Sequence, residues 1–166
     1  MAILVSSCAS TLPENVERAS LQAAEAPKPA CESGHEAALN DGVVTIRPGQ
    51  VVCVQLRVES DAIVPVAIVS ESNLDSTLVL KSWIEAASSD TFLTLHNPLD
   101  LLLRYEANMV RLNEAQAEYT SSCPVLSLRL SLEHWPYPIS ELRLSNFSIE
   151  PVDAADSPNS MTIHCR

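Results

Sequence analysis

The stretch 125-VLSLRLSL-132 decides the fold, with 101-LLLRYEANMV-110 before it and 139-ISELRLSNFSI-149 after it. Leu126, Leu128, Leu130 and Leu132 alternate with Ser127, Arg129 and Ser131. A period of two puts the leucines on one face of a strand, and that face is expected to be buried. Leu103, Tyr105, Ala107 and Met109 share a face in the same way, with Arg104, Glu106 and Asn108 opposite. In the third stretch the apolar phase slips from Leu142 and Leu144 to Phe147 and Ile149, which predicts a bulge near Ser145.

Working outward, similar short runs recur at roughly ten-residue spacing. Strands are predicted over Val43–Arg47, Val51–Val58, Val64–Val69, Ser76–Trp83, Phe92–His96 and Leu101–Arg111, then over Val125–Leu132 and Leu142–Ile149. Pro48-Gly49 sets a tight turn, with glycine where a positive φ is favoured. In the second strand Val52, Val54, Leu56 and Val58 face one way, and Cys53, Gln55 and Arg57 the other. No long amphipathic helix interrupts the series. The fold class is therefore all-β, an immunoglobulin-like sandwich of about seven to eight strands, with a small β-barrel as the alternative.

Composition excludes several functions. The three glycines of this 166-residue chain, Gly34, Gly42 and Gly49, cannot build a P-loop or a dinucleotide fingerprint. The net charge of −11 is spread along the chain without a basic cluster, which argues against nucleic acid as a partner. It permits a cationic partner without requiring one. From residue 9 to residue 41 the chain is rich in Ala, Glu, Pro and Ser, and Pro27 and Pro29 stop any helix begun before them. This segment reads as a flexible acidic tether, with the β domain occupying 42–166.

The N-terminus, MAILVSSCAS, carries a resemblance. Val5-Ser6-Ser7-Cys8 is similar to the lipobox of bacterial lipoproteins, in which cleavage occurs before a cysteine that then carries diacylglycerol. The apolar run before it is short and no positively charged region precedes it, so the signal reads as the end of a longer one that starts upstream. The resemblance implies residues 1–8 as a signal remnant, lipidation of Cys8 and a lipid anchor in the membrane. Ala9 after the cysteine implies the periplasmic face of the outer membrane. The mature domain resembles uncharacterised Gram-negative envelope lipoproteins with a β-sandwich, a likeness that transmits no function.

Four further cysteines, Cys31, Cys53, Cys123 and Cys165, fit two disulfides in an oxidising compartment. Three pairings are open. Cys53 with Cys123 is favoured as a tie between sheets, leaving Cys31 with Cys165 to clip the flanks. A zinc site could be drawn from Cys31, His35, His164 and Cys165, but adjacent His-Cys is an unusual ligand turn, and no metal or other cofactor is expected. His96 precedes Asn97-Pro98, a strand-ending turn. None of the histidines falls in a catalytic motif.

The candidate binding residues are His134, Trp135 and Tyr137 in HWPYP, where two prolines stiffen the loop. The competing role for Trp135 is to plug the end of the sandwich. These features predict a non-catalytic, membrane-tethered binding or assembly module of the envelope, with another envelope protein as the expected partner. The runner-up is an inhibitor of a cationic envelope enzyme such as lysozyme.

Overall fold

The computed structural model describes Cys31, residues 39–60, 62–73 and 75–150, and Cys165. These residues form an all-β fold of ten antiparallel strands. In chain order they are β1 (Leu39–Asn40), β2 (Val43–Ile46), β3 (Val51–Glu59), β4 (Ala62–Ile68) and β5 (Thr77–Ile84). They continue as β6 (Thr91–His96), β7 (Leu102–Arg111), β8 (Ala117–Thr120), β9 (Leu130–Trp135) and β10 (Ile139–Glu150). One half of the sandwich is β8-β7-β10-β2-β1 and the other is β4-β3-β5-β6-β9. A single pairing, Ser148 with Ala62, joins β10 to β4 and makes the sheet continuous.

Local chemistry explains the turns. Leu39 pairs with Val44 and Asn40 with Val43, so Asp41-Gly42 is a two-residue hairpin loop. Both residues have positive φ (+48° and +76°), as a type I′ turn requires. Strand pairing therefore begins ahead of Gly42. Gly49 lies at φ +90°, and the Gln50 N–H donates to the Arg47 carbonyl (3.1 Å), which closes the expected Pro48-Gly49 turn. In β10, Asn146 and Phe147 fall between the pairs Ser145–Glu106 and Ser148–Arg104, opposite Tyr105 alone. This is the predicted bulge; it turns Phe147 inward, where its ring stacks on Tyr105.

The core is aliphatic and drawn from both halves: Val52, Val54, Leu78, Leu80, Leu93 and Leu95 from one, Val44, Ile46, Leu103, Leu142 and Leu144 from the other. Each such side chain contributes about 1.5–3 kcal/mol through the area it removes from water. The alternation expected for β7 is observed, with Leu103, Tyr105, Ala107 and Met109 all buried.

The leucine run is the reverse of its expectation. Val125 is buried and bridges to Leu103, but Leu126 to Arg129 is a turn, in which Leu128 takes φ +52° and donates its N–H to the Leu99 carbonyl (3.0 Å). Strand β9 starts only at Leu130. Leu126, Leu128, Leu130 and Leu132 are 37%, 56%, 64% and 59% exposed. The opposite face is the buried one because of what lies further along it. Trp135, 5% exposed, fills the core, and its Nε1–H donates to Thr120 Oγ1 at 2.7 Å. Glu133 Oε1 accepts the Tyr105 hydroxyl (3.1 Å) and the Cys123 amide (3.0 Å). Turning the strand over would hide the leucines, but it would strip two interior donors of their acceptor and expose an indole.

The cysteine pairing is also corrected: the bonds are Cys31–Cys53 and Cys123–Cys165. Cys53 sits on β3, whereas Cys123 is tied through its amide to β9. Strands β5 and β6 stand between β3 and β9, which sets those two strands about 14 Å apart at the usual spacing, and a disulfide spans less than about 7 Å between Cα atoms. Cys31 and Cys165 lie in different bonds, so they cannot act together as zinc ligands; His35 and His164 lie outside the described residues. Among the described residues no cluster of three metal-ligating side chains occurs.

Burial first, and then the nearby Glu133 carboxylate, push the Tyr105 phenol far above its ordinary value of 10.0. A raised folded-state value means that the contribution is complete below about pH 10 and is lost as pH climbs beyond it. Urea midpoints should therefore fall steeply above pH 10, and Tyr105→Phe should flatten that fall. At neutral pH the substitution should cost about 1 kcal/mol for the lost hydroxyl bond.

Candidate functional site

Cross-strand register builds a surface on the outer side of β5, β6 and β9. Successive rows are Val79, His96 and Leu130; Lys81, Thr94 and Leu132; Trp83, Phe92 and His134. Alternation sends Leu80, Ser82, Leu93 and Leu95 to the core, so these nine residues must face out. The third row is a stack. The Trp83 and Phe92 centroids are 5.2 Å apart with planes at 13°, and Phe92 and His134 are 4.7 Å apart at 16°. Lys81 Nζ lies 5.7 Å from the Trp83 ring, within cation–π range.

His134 is oriented by Asp90, whose Oδ2 is 2.8 Å from Nε2. Asp90 is placed by the β5–β6 turn, where the Glu85 N–H donates to the Asp90 carbonyl (2.8 Å) and the Asp90 N–H to Ser88 Oγ (3.2 Å). An imidazole held by stacking on one face and a carboxylate at one nitrogen is a fixed, half-apolar platform. With Leu130 and Leu132 beside it, the surface can stack a planar group and bury an aliphatic one.

The HWPYP residues divide. His134 joins this surface. Trp135, one residue on, points into the core, which is the plugging role weighed against recognition. Tyr137 is half-buried against the core, with the Arg111 guanidinium 4.6 Å over its ring. Its carbonyl accepts from Thr91 Oγ1, which in turn accepts from the Ile139 N–H, so the prolyl loop is fastened to β6. Lipidation of Cys8 lies outside the described residues. Trp83 and Phe92 were not singled out from the sequence, and Leu130 and Leu132 were read there as core. The signal that could have found them is the shared parity of Val79, Lys81 and Trp83 with Phe92, Thr94 and His96 once the two strands are paired.

A concavity of about 140 Å³ lies over β7, β8 and β10 and is walled by Arg104, Tyr119, Ser122, Asn146 and Ser148. Asn146 Nδ2 donates to Glu106 Oε2 there (2.7 Å). Its lining is polar and small beside the aromatic platform. In comparisons with known proteins the chain matches no protein-family model, no curated protein and no solved structure.

Proposed function

We propose that the domain works by binding rather than by catalysis, as a lipid-anchored module of the bacterial envelope that docks another envelope protein through the outer face of β5, β6 and β9. What supports the binding reading is the row Trp83–Phe92–His134, three stacked rings set beside two exposed leucines in a domain with only seven aromatic residues. Aromatic groups held rigid on a sheet are typical centres of interface affinity. The charged side chains at this face are Lys81 and Asp90, the latter within hydrogen-bond distance of His134, so its character favours an apolar partner over a cationic enzyme. The anchor rests on the lipobox resemblance at Cys8, and the two disulfides fit the same oxidising compartment.

The test is a photo-crosslinking amino acid at Thr94, in the centre of the face, in cells making the chain with a lipoprotein signal fused ahead of Cys8. The expected result is a discrete adduct with an envelope protein, absent when the label is at Arg57. Trp83→Ala with Phe92→Ala should weaken the adduct about tenfold, the usual loss at an interface centre. Cys8→Ser should release the adduct from the membrane fraction. No adduct at Thr94 above that at Arg57 would overturn the binding reading.

A further inference from the structure

Strand β9 ends the path of its half-sandwich, and among the described residues it pairs with β6 alone. Which backbone groups face the open side follows from one bond. The Asn97 N–H donates to the Arg129 carbonyl at 3.0 Å, so the backbone groups of residues 129, 131, 133 and 135 face β6. By alternation, those of Leu130, Leu132 and His134 face outward. Exposed edges are normally blunted by lysine, proline or a bulge. From Leu130 to Trp135 the sequence contains neither lysine nor proline, and its pairing with β6 is uninterrupted.

We propose that this edge joins two copies of the chain, β9 pairing antiparallel with the partner's β9 about a twofold axis through Ser131. Several observations select a second copy. Only an even register keeps outward residues beside outward residues. Centring it on Ser131 sets Leu130 beside the partner's Leu132, and Leu132 beside the partner's Leu130, which gathers four exposed leucines into one cluster. The same register sets the exposed Arg129 opposite the partner's Glu133, and the reverse, an opposite-charge pair made twice. Centring on Leu132 instead would oppose Arg129 to the partner's Trp135 and lose that match. Elsewhere the −11 charge repels a second copy, but residues 126–134 carry one Arg and one Glu and are neutral as a segment. Pairing of this kind leaves the Trp83–Phe92–His134 row on the outer face of both copies, so the dimer stands or falls separately from the docking of another protein.

The experiment is light scattering on the full chain, disulfides intact, at about 100 μM. The expected mass is twice the 18.0 kDa of one chain. Leu130→Lys with Leu132→Lys, at two exposed positions, should give a folded monomer. Leu132→Pro should do the same, since the N–H it removes faces the open edge. Ser131→Cys should crosslink on oxidation, because residues on the axis form a non-hydrogen-bonded pair with Cα atoms about 4.5 Å apart. Leu128→Cys, in the turn before β9 and displaced along the seam from its counterpart, should not, both variants being made with Cys8→Ser. A wild-type monomer that also fails to crosslink through Ser131→Cys overturns the dimer. So does a dimer that survives the double lysine variant, and a crosslink through Leu128→Cys but not Ser131→Cys overturns the register.

Discussion

Asn97→Ala should destabilise the domain by about 3–4 kcal/mol, read as a drop in the urea midpoint with an unchanged slope. Asn97 is fully buried where β6 ends, and its amide nitrogen donates to the carbonyls of Leu101 (2.8 Å), Val125 (3.1 Å) and Leu126 (3.1 Å). Its Oδ1 accepts the Leu99 N–H (3.0 Å), which makes the turn around the buried Pro98. Alanine leaves these groups without their side-chain partner, at about 1–3 kcal/mol for each that becomes unsatisfied. The sum is moderated because the Val125 carbonyl keeps the Leu103 N–H. Asn97→Asp should be at least as costly at neutral pH, since a carboxylate keeps the Leu99 bond but faces three carbonyl oxygens. A loss below 1 kcal/mol for alanine would mean that the 97–101 turn is held by its backbone alone.

The same residue shows where sequence reading reaches its limit. Asn97-Pro98 is legible as a strand-ending turn, because proline bars the continuation of a paired strand. That its amide also fastens a segment near Val125 is not legible, since the contact depends on how strands far apart in the chain are laid side by side. Alternation has a similar limit. It groups Leu130 and Leu132 correctly by parity, but it runs the strand through the turn at Leu126 and Leu128 and cannot say which parity faces the core. Hydrophobicity chose the leucines; one indole and one carboxylate with two interior donors chose the other face. In β7 and β10, where the apolar face had no such competitor, the predicted faces and the bulge agree with the structure. The aromatic row escaped notice because it is a product of register: Trp83, Phe92 and His134 come from three strands and are neighbours only once those strands are paired.

Removing the two disulfides one at a time should rank them against their loop lengths. The Cys31–Cys53 bond closes 22 residues and Cys123–Cys165 closes 42. Chain entropy alone assigns them about 3.4 and about 3.9 kcal/mol, favouring the longer loop. Burial opposes that order. Cys53 is fully buried in the middle of β3, between Val52 and Val54, which belong to the core, and Cys31 lies over it almost as deeply buried. Alanine at both positions removes two packed sulfur atoms as well as the link, adding about 1–2 kcal/mol for the space left behind. Cys165 is exposed, so Cys123→Ala with Cys165→Ala leaves little cavity. A link whose one end is exposed also restrains the core less than its loop length suggests, because that end can open locally. The Cys31→Ala/Cys53→Ala variant should therefore unfold at the lower urea concentration, by a margin of about 1–2 kcal/mol. The opposite ranking would mean that loop entropy outweighs burial. In that case the cover that Cys31 lays over β3 would be dispensable, and the segment carrying it would serve the fold only as a tether.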